Sequence, residues 1–327
     1  MSDSLLEVLT PSSPLLLEKV LFIINPAAGS KRKRKKLKVI LNHLNDFSKH
    51  LDTFYTQHPL DATRLVSDKR SEGWTLLLCA GGDGTVNEVI NGLLTESKGP
   101  APSDLPPIGI LPTGTGNGLI REIGLPLDPL KAYQAILEGS PRSIFPAKVN
   151  KRSFLLMAGT GFDAYVAHWV EKRRGVFKKI PKLLTYFLFG IVSIFKYSYP
   201  KLHFEVDGRP YNGSTGIITK ARCVAGPYIF SPYSDLSTPK LTLCLFKCRG
   251  TIDQLFLTAR FIFSGQCGPG VQYIHGKEII IEEGNVRVQA DGEEIGKPPA
   301  HFHISKQTIQ LMTPGQQHGK QHQDTAA

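Results

Sequence analysis

A chain of 327 residues, 41% hydrophobic and 20% charged, can build one large domain or two modest ones and is neither fibrous nor wholly disordered. Thirty-nine Lys and Arg against 28 Asp and Glu leave a formal charge of +11, which points to anionic partners: nucleotide phosphates, nucleic acid or an acidic membrane surface. The five cysteines, Cys79, Cys223, Cys244, Cys248 and Cys267, include no Cys-x-x-Cys pair, so neither a disulfide framework nor a zinc site is expected and a reducing cytosol fits best.

Residues 1–18 lack periodicity, and they also lack the basic lead and cleavage site of a secretory signal, so they read as a fraying end. Val20 to Ile24 is a short apolar run stopped by Asn25-Pro26, and a helix is expected from about Lys35 to Leu44. Leu76 to Cys79 and Ile108 to Leu111 are further buried-strand candidates. Such runs, bounded by Gly and Pro with helices between, predict parallel strands covered on both faces. Val86, Val89, Ile90, Leu93 and Leu94 follow helical spacing, and Asp128-Pro129 reads as an N-cap with proline at the first helical position.

Beyond Gly139 the texture changes to strand-like pieces separated by turns, among them Phe154 to Met157, "LHFEV", "LTLCLF", "KEIIIEE" and "VRVQADG". They predict a mainly antiparallel β domain. The expected organisation is a flexible 1–18, an α/β domain over 19–140, a β-rich domain over 141–300 and a flexible 315–327. The apolar run Leu183 to Phe195 is broken by Thr185, Gly190 and Ser193 and is shorter than the ~20 residues a bilayer-crossing helix needs.

The chemistry concentrates in "CAGGDGTVNE". A strand, a glycine-rich turn and an amphipathic helix make a phosphate site, because glycine lets the main chain approach an anion and the helix start offers free N–H groups. Asp83 beside a triphosphate would be repelled unless Mg²⁺ lay between them, and this cation takes one or two carboxylates plus water and phosphate oxygens. Asp83-Gly84 also fits a plain turn before a helix. A second loop, Thr113 to Asn117 in "ILPTGTGNGLIR", and a third, Asn25 to Ser30, follow strands in the same manner, so three loops are expected to converge where open α/β sheets bind ligands. No P-loop pattern is present. Gly159-Thr160-Gly161-Phe162-Asp163-Ala164 matches a dinucleotide motif but has no βαβ context.

In this order "INPAAGS", "GGDGTVNEVINGL", "LPTGTGN", "GTGFDA" and "ADGEE" resemble the diacylglycerol kinase catalytic family of lipid kinases, over roughly residues 20–313. The Gly-Gly-Asp-Gly core is shared with NAD kinases, whereas Asn87-Glu88 and the second loop favour the lipid branch. The resemblance implies an α/β N-terminal domain with a mainly parallel sheet, a C-terminal antiparallel β-sandwich, and final strands, within 301–313, that return to the first domain. It implies ATP held by Asn25, Thr56, the loop Gly81, Gly82, Asp83, Gly84, Thr85, Asn87 and Glu88, and Thr115, Gly116 and Asn117 of the second loop, with Mg²⁺ at Asp83. It implies a base near "ADGEE", Glu293 or else Asp291 as base or orienting partner, to take the proton of a lipid hydroxyl. Read alone, Asp291-Gly292 is also an ordinary hairpin turn. Bacterial members often hold a structural metal at an Asp-Gly step in the second domain; Thr238-Pro239 stands here instead, so that site is not expected. Gly116-Asn117-Gly118-Leu119 departs from the common Gly-Thr-x-Asn-Asp towards the sphingosine and ceramide kinase manner.

Two basic stretches remain. Lys31 to Lys36 is six consecutive cations just past the loop that ends the first strand; such a run also fits a solvated helix face, but its place favours attraction of ligand or anionic lipid over nucleic acid. Lys172, Arg173, Arg174, Lys178, Lys179 and Lys182 lead into an aromatic apolar segment that fits either a core helix or an interfacial one. The expected reaction is phosphorylation of a lipid hydroxyl by ATP, most simply on diacylglycerol, by a cytoplasmic protein peripheral to the membrane. The rivals are a sphingoid-base or ceramide kinase, an NAD kinase, and a catalytically silent module.

Overall fold

The computed structural model describes residues 17–95, 105–173, 175, 177, 182–225, 228–265, 267 and 270–315. In the first lobe strands and helices alternate: β1 (Lys19–Ile24), α1 (Lys31–Phe47), β2 (His50–Tyr55), α2 (Asp61–Lys69), β3 (Leu76–Gly81), α3 (Asp83–Leu93), β4 (Ile108–Pro112), α4 (Gly118–Glu122), α5 (Pro129–Leu137) and β5 (Ser140–Ile144). Every residue of β3 and β4 is buried, as helices on both faces of a parallel sheet require. The first four strands lie in the order β2-β1-β3-β4 and run parallel. Ile24 therefore sits level with Ala80, and Gly81 with Pro112, so the loops leaving β1, β3 and β4 emerge at one edge. Helix α1 starts at Lys31, four residues before the expected point, because Ser30 caps it and accepts the Lys33 N–H at 3.4 Å.

The second lobe contains β6 (Ala147–Val149), β7 (Arg152–Phe154), β8 (Met157–Thr160), α6 (Phe162–Arg173), α7 (Lys182–Ile194), β9 (Leu202–Val206), β10 (Arg209–Gly213), β11 (Thr215–Thr219), β12 (Cys223–Ala225), β13 (Tyr228–Ile229), β14 (Leu241–Phe246), α8 (Thr251–Ser264), β15 (Val271–Gly276), β16 (Glu278–Ile281), β17 (Val288–Ala290), β18 (Glu293–Gly296) and β19 (Ala300–Ile304). Two six-stranded sheets, β10-β9-β16-β19-β6-β7 and β15-β14-β11-β8-β17-β18, are antiparallel throughout. Phe154, Phe204, Ile279 and Phe302 of one sheet share a core with Ile218 and Leu243 of the other, which makes this lobe a β-sandwich.

The chain then returns to the first lobe as β20 (Ile309–Thr313), parallel to β4 and antiparallel to β5. The return is narrower than expected. Phe302 is buried in the sandwich, whereas Ile309, Leu311 and Met312 are buried in the first lobe, so the crossing lies between β19 and β20. Likewise β5 extends the first lobe to Ile144, past the expected boundary at 140. Helices α6 and α8 interrupt the β-rich half. The expected strand Phe154 to Met157 is broken, because Leu155 and Leu156 turn their N–H groups to Asp291. Gly161, at φ +87°, leads from β8 into α6, but both neighbours of β8 are antiparallel to it, so the dinucleotide motif has no βαβ unit. The expected structures of residues 1–16 and 316–327 lie outside the described residues.

Candidate active site

The loops after β1, β3 and β4 pack main chain against main chain. A Cβ added to Gly114 would lie 2.5 Å from Gly82 Cα, and one on Gly81 would lie 2.5 Å from Thr85 Cβ. Thr113 and Gly114 both donate their N–H to the Gly81 carbonyl at 3.1 Å. Gly29, at φ +88°, joins them, its added Cβ meeting the Thr113 carbonyl oxygen at 3.1 Å. Glycine is thus required by closeness as much as by dihedral angle.

Side chains tie the loops further. Asn25 Nδ2 donates to Thr85 Oγ1 at 3.0 Å, and its Oδ1 accepts the Ala27 N–H at 3.0 Å. The Asp83 carboxylate accepts the N–H groups of Gly118 at 3.0 Å and Leu119 at 3.2 Å, where α4 begins. Asp83 is therefore a brace between the loops that follow β3 and β4. Asn117, at φ +50°, donates from Nδ2 to the Gly114 carbonyl at 2.8 Å, while Thr115 and Gly116 stand exposed at the tip. Thr56 follows β2 at the same edge, donating its N–H to the Ile24 carbonyl at 2.9 Å.

Room for an anion lies at the start of α3. No side chain caps that helix, and nothing comes within 4 Å of a Cβ added to Gly84, so its first-turn N–H groups can meet a phosphate. Lys33 reaches the same place, donating from Nζ to the Gly114 carbonyl at 3.3 Å, and burial holds its ammonium below the usual lysine range. Its neighbour in the basic run, Lys36, pairs with Asp128 instead. Among the described residues no group of three or more His, Cys, Asp or Glu could hold a metal. A magnesium ion brought by phosphate needs no such cage, and the single carboxylate of Asp83 fits that manner of binding.

The two lobes meet at Asn87. Its Nδ2 donates to Asp291 Oδ2 at 2.8 Å and to the Ser153 carbonyl at 3.2 Å. One turn on, Asn91 accepts the Ser153 N–H at 3.0 Å and donates back to the Ser153 carbonyl at 3.1 Å. Asn87 therefore faces the second lobe rather than the loop tips. Glu88 points elsewhere, accepting the Ala62 N–H at 3.3 Å near the start of α2, so the geometry does not bring it to the loops.

Asp291 adopts φ +47°. Besides Asn87, the N–H groups of Leu155, Leu156 and Met157 donate to its carboxylate at 2.9, 3.0 and 3.0 Å. Burial pushes its pKa up against those three amides, and the charge of Asp83 across the cleft adds to the rise. Glu293, two residues on, is exposed and paired with Arg152. The turn between them is held from behind: Gly292 donates its N–H to Gln289 Oε1 at 2.8 Å, and Gln289 Nε2 donates to Asp163 Oδ2 at 2.7 Å. Asp163 is half-buried, and burial of its carboxyl pushes it up to about 6. It belongs to "GTGFDA", a stretch whose order along the chain was informative although no role for Asp163 could be assigned. Arg152, Gln289 and the Glu294 partners His168 and Arg287 carried no signal in sequence, because long-range pairing alone selects them.

Residues 19–149, which include all three loops, match the family model of the diacylglycerol kinase catalytic domain. Over that stretch the chain is similar to the diacylglycerol kinase catalytic domain. Its domain is that of a lipid kinase. It is 28% identical over 299 residues to a diacylglycerol kinase of Staphylococcus carnosus (strain TM300), covering 89% of this chain and 94% of that one. To a diacylglycerol kinase of Bacillus subtilis (strain 168) it is 27% identical, over 88% and 93%. The fold is similar to a crystal structure of a diacylglycerol kinase from Bacillus anthracis str. Sterne, with a TM-score of 0.70 at 24% identity and coverage of 90% and 97%. These likenesses run across both lobes, so they take in the sandwich as well as the parallel-sheet lobe.

The stretch Ser234 to Thr242 is secured from beneath. The buried Lys220 ammonium donates to the carbonyls of Asp235 and Thr238, and burial lowers it to about 8 against the pull of the Asp235 charge.

Proposed function

We propose that this protein is an ATP- and Mg²⁺-dependent kinase that transfers the γ-phosphate to the hydroxyl of a membrane lipid, most simply diacylglycerol. The observation that carries the reading is the contrast at the lobe junction: Asp291 is filled by four donors, while Glu293 beside it stays at the surface with Arg152 balancing its charge. A carboxylate so occupied is a poor proton acceptor and a good anchor. Glu293 is then the base that takes the lipid hydroxyl proton, and Asp291 positions it through the Asp291-Gly292 turn. On the opposite side, the α3 N–H groups and Lys33 hold phosphate, and Asn25, Thr56 and the braced glycine loops shape the nucleotide pocket. Bound magnesium, held by Asp83 and phosphate oxygens, would neutralise charge on the transferring group.

The lipid reading also suits a peripheral protein on the cytoplasmic side. No helix among the described residues is long and apolar enough to cross a membrane, and the +11 charge favours an anionic surface. Labelled ATP with diacylglycerol, sphingosine, ceramide and NAD tests the proposal. Wild type should label diacylglycerol, and Glu293→Gln should lower kcat by roughly 10²–10⁴-fold with little change in nucleotide affinity. Transfer to sphingosine or ceramide alone would move the substrate class, and nucleotide binding without any transfer would mean a silent module.

A further inference from the structure

Helices α7 and α8 are amphipathic in the wrong sense for a protein surface. On α7 and one residue past its end the exposed residues are Leu184, Phe187, Leu188, Ile191, Val192 and Phe195, spaced i, i+3, i+4, i+7, i+8 and i+11, while Thr185 and Ser193 are buried. No residue of α8 is buried. Its outward stripe is Ile252, Leu255, Phe256 and Phe263, with Phe256 76% and Phe263 90% exposed, and its inward side is Leu257 and Phe261, the latter 4.6 Å from the Phe230 ring. A helix covering a sandwich in water turns its polar side outward; here the apolar side faces out on two helices that touch, Thr251 Oγ1 donating to the Ile194 carbonyl at 3.4 Å.

We propose that α7 and α8 together form the face by which this protein seats on an anionic lipid bilayer. The proposal rests on the lipid-kinase reading for its purpose but not for its geometry. Charge selects the occupant. Lys196 flanks α7, Arg249 and Arg260 flank or lie on α8, and all three are exposed. Helix α6 packs on α7 and ends in exposed Lys172 and Arg173, Arg173 lying 5.6 Å from the Phe189 ring. The acids on these elements are Asp163, Glu171 and Asp253; Asp163 lies at the far end of α6 and accepts from Gln289 Nε2, and Asp253 already accepts the Arg249 N–H at 2.8 Å. Cations around an exposed apolar stripe complement anionic headgroups over acyl chains, whereas a second copy bearing the same +11 would be repelled. Of the cations expected to lead into α7, Arg174, Lys178 and Lys179 lie outside the described residues, as does the side chain of Lys182. The face is also near the chemistry. Tyr186 of α7 points its hydroxyl at the Gly292 carbonyl, 3.5 Å away, and α6 packs on β18, which begins at Glu293.

Vesicle flotation of the full chain, without nucleotide, tests this directly. Wild type should float with phosphatidylcholine vesicles containing phosphatidylglycerol, much less with phosphatidylcholine alone, and less at high salt. Phe256→Glu with Phe263→Glu, and separately Phe187→Glu with Ile191→Glu, should each lower bound protein at least tenfold. The milder pair Phe256→Ser with Phe263→Ser should give a smaller loss at an unchanged melting temperature. Turnover of a monomeric short-chain diacylglycerol should stay within twofold of wild type for the α8 pairs. The proposal is overturned if wild type stays at the bottom of the gradient at low salt, if the variants float like wild type, or if the substitutions only convert a dimer to a monomer. Flotation lost in the variants, with no lipid phosphorylated even by wild type, would uphold the face and defeat the kinase reading alone.

Discussion

Gly84 is the residue at which fold and ligand make opposite demands. It lies in the first turn of α3 at an ordinary helical dihedral, with open space where a Cβ would go. Gly84→Ala should therefore stabilise the protein by about 0.5–1 kcal/mol through the unfolded chain, yet weaken nucleotide binding at least tenfold if phosphate sits on the N–H groups beneath. Calorimetric titration and thermal melts decide it, and unchanged affinity would put the phosphate elsewhere. Asp163 makes a pH-dependent contribution. Its carboxyl holds a proton up to about 6 in the folded protein, against 3.8 for an ordinary aspartate, so the folded state binds more protons between those values and stability falls as pH rises through them. Asp163→Asn should flatten that slope and add up to about 3 kcal/mol at neutral pH. A melting temperature for the variant that still falls between pH 4 and 6 as wild type does would refute this assignment.

At the scale of elements, the returning strand β20 has the clearest testable role. Leu311 is fully buried between β4 and β5, so Leu311→Ala should cost about 2–5 kcal/mol, and denaturant melts should show whether the two lobes lose structure together. A variant whose sandwich keeps its full stability would mean that the return strand serves the first lobe alone. The elements that carry the glycine loops were legible because β1, β3 and β4 are short apolar runs punctuated by Asn, Gly and Pro, and α3 repeats its apolar residues at helical spacing. Helix α8 was not. Ile252, Leu255, Phe256 and Phe263 have helical spacing too, but the alternation of the neighbouring strands dominated that half, and periodicity cannot say whether a stripe faces a core or the outside. The same limit held at the candidate base: "ADGEE" offers Asp291 and Glu293 equally, and only the main-chain donors Leu155, Leu156 and Met157 at the break between β7 and β8, more than 130 residues earlier in the chain, show that one of them is already occupied.

Across the whole molecule, the parallel sheet gathers three loops at one edge, and Asn87 joins that lobe to the sandwich at Asp291, two residues before Glu293. That join has a mechanical consequence. Parting the lobes at this point would strip an amide from a half-buried carboxylate, at a cost of about 1–3 kcal/mol, so the gap resists opening like a jaw. On the proposed reading, a lipid phosphorylated there would meet an opening whose width is set by this join, so headgroup height would act as a first filter on substrates before any contact with the acyl tail.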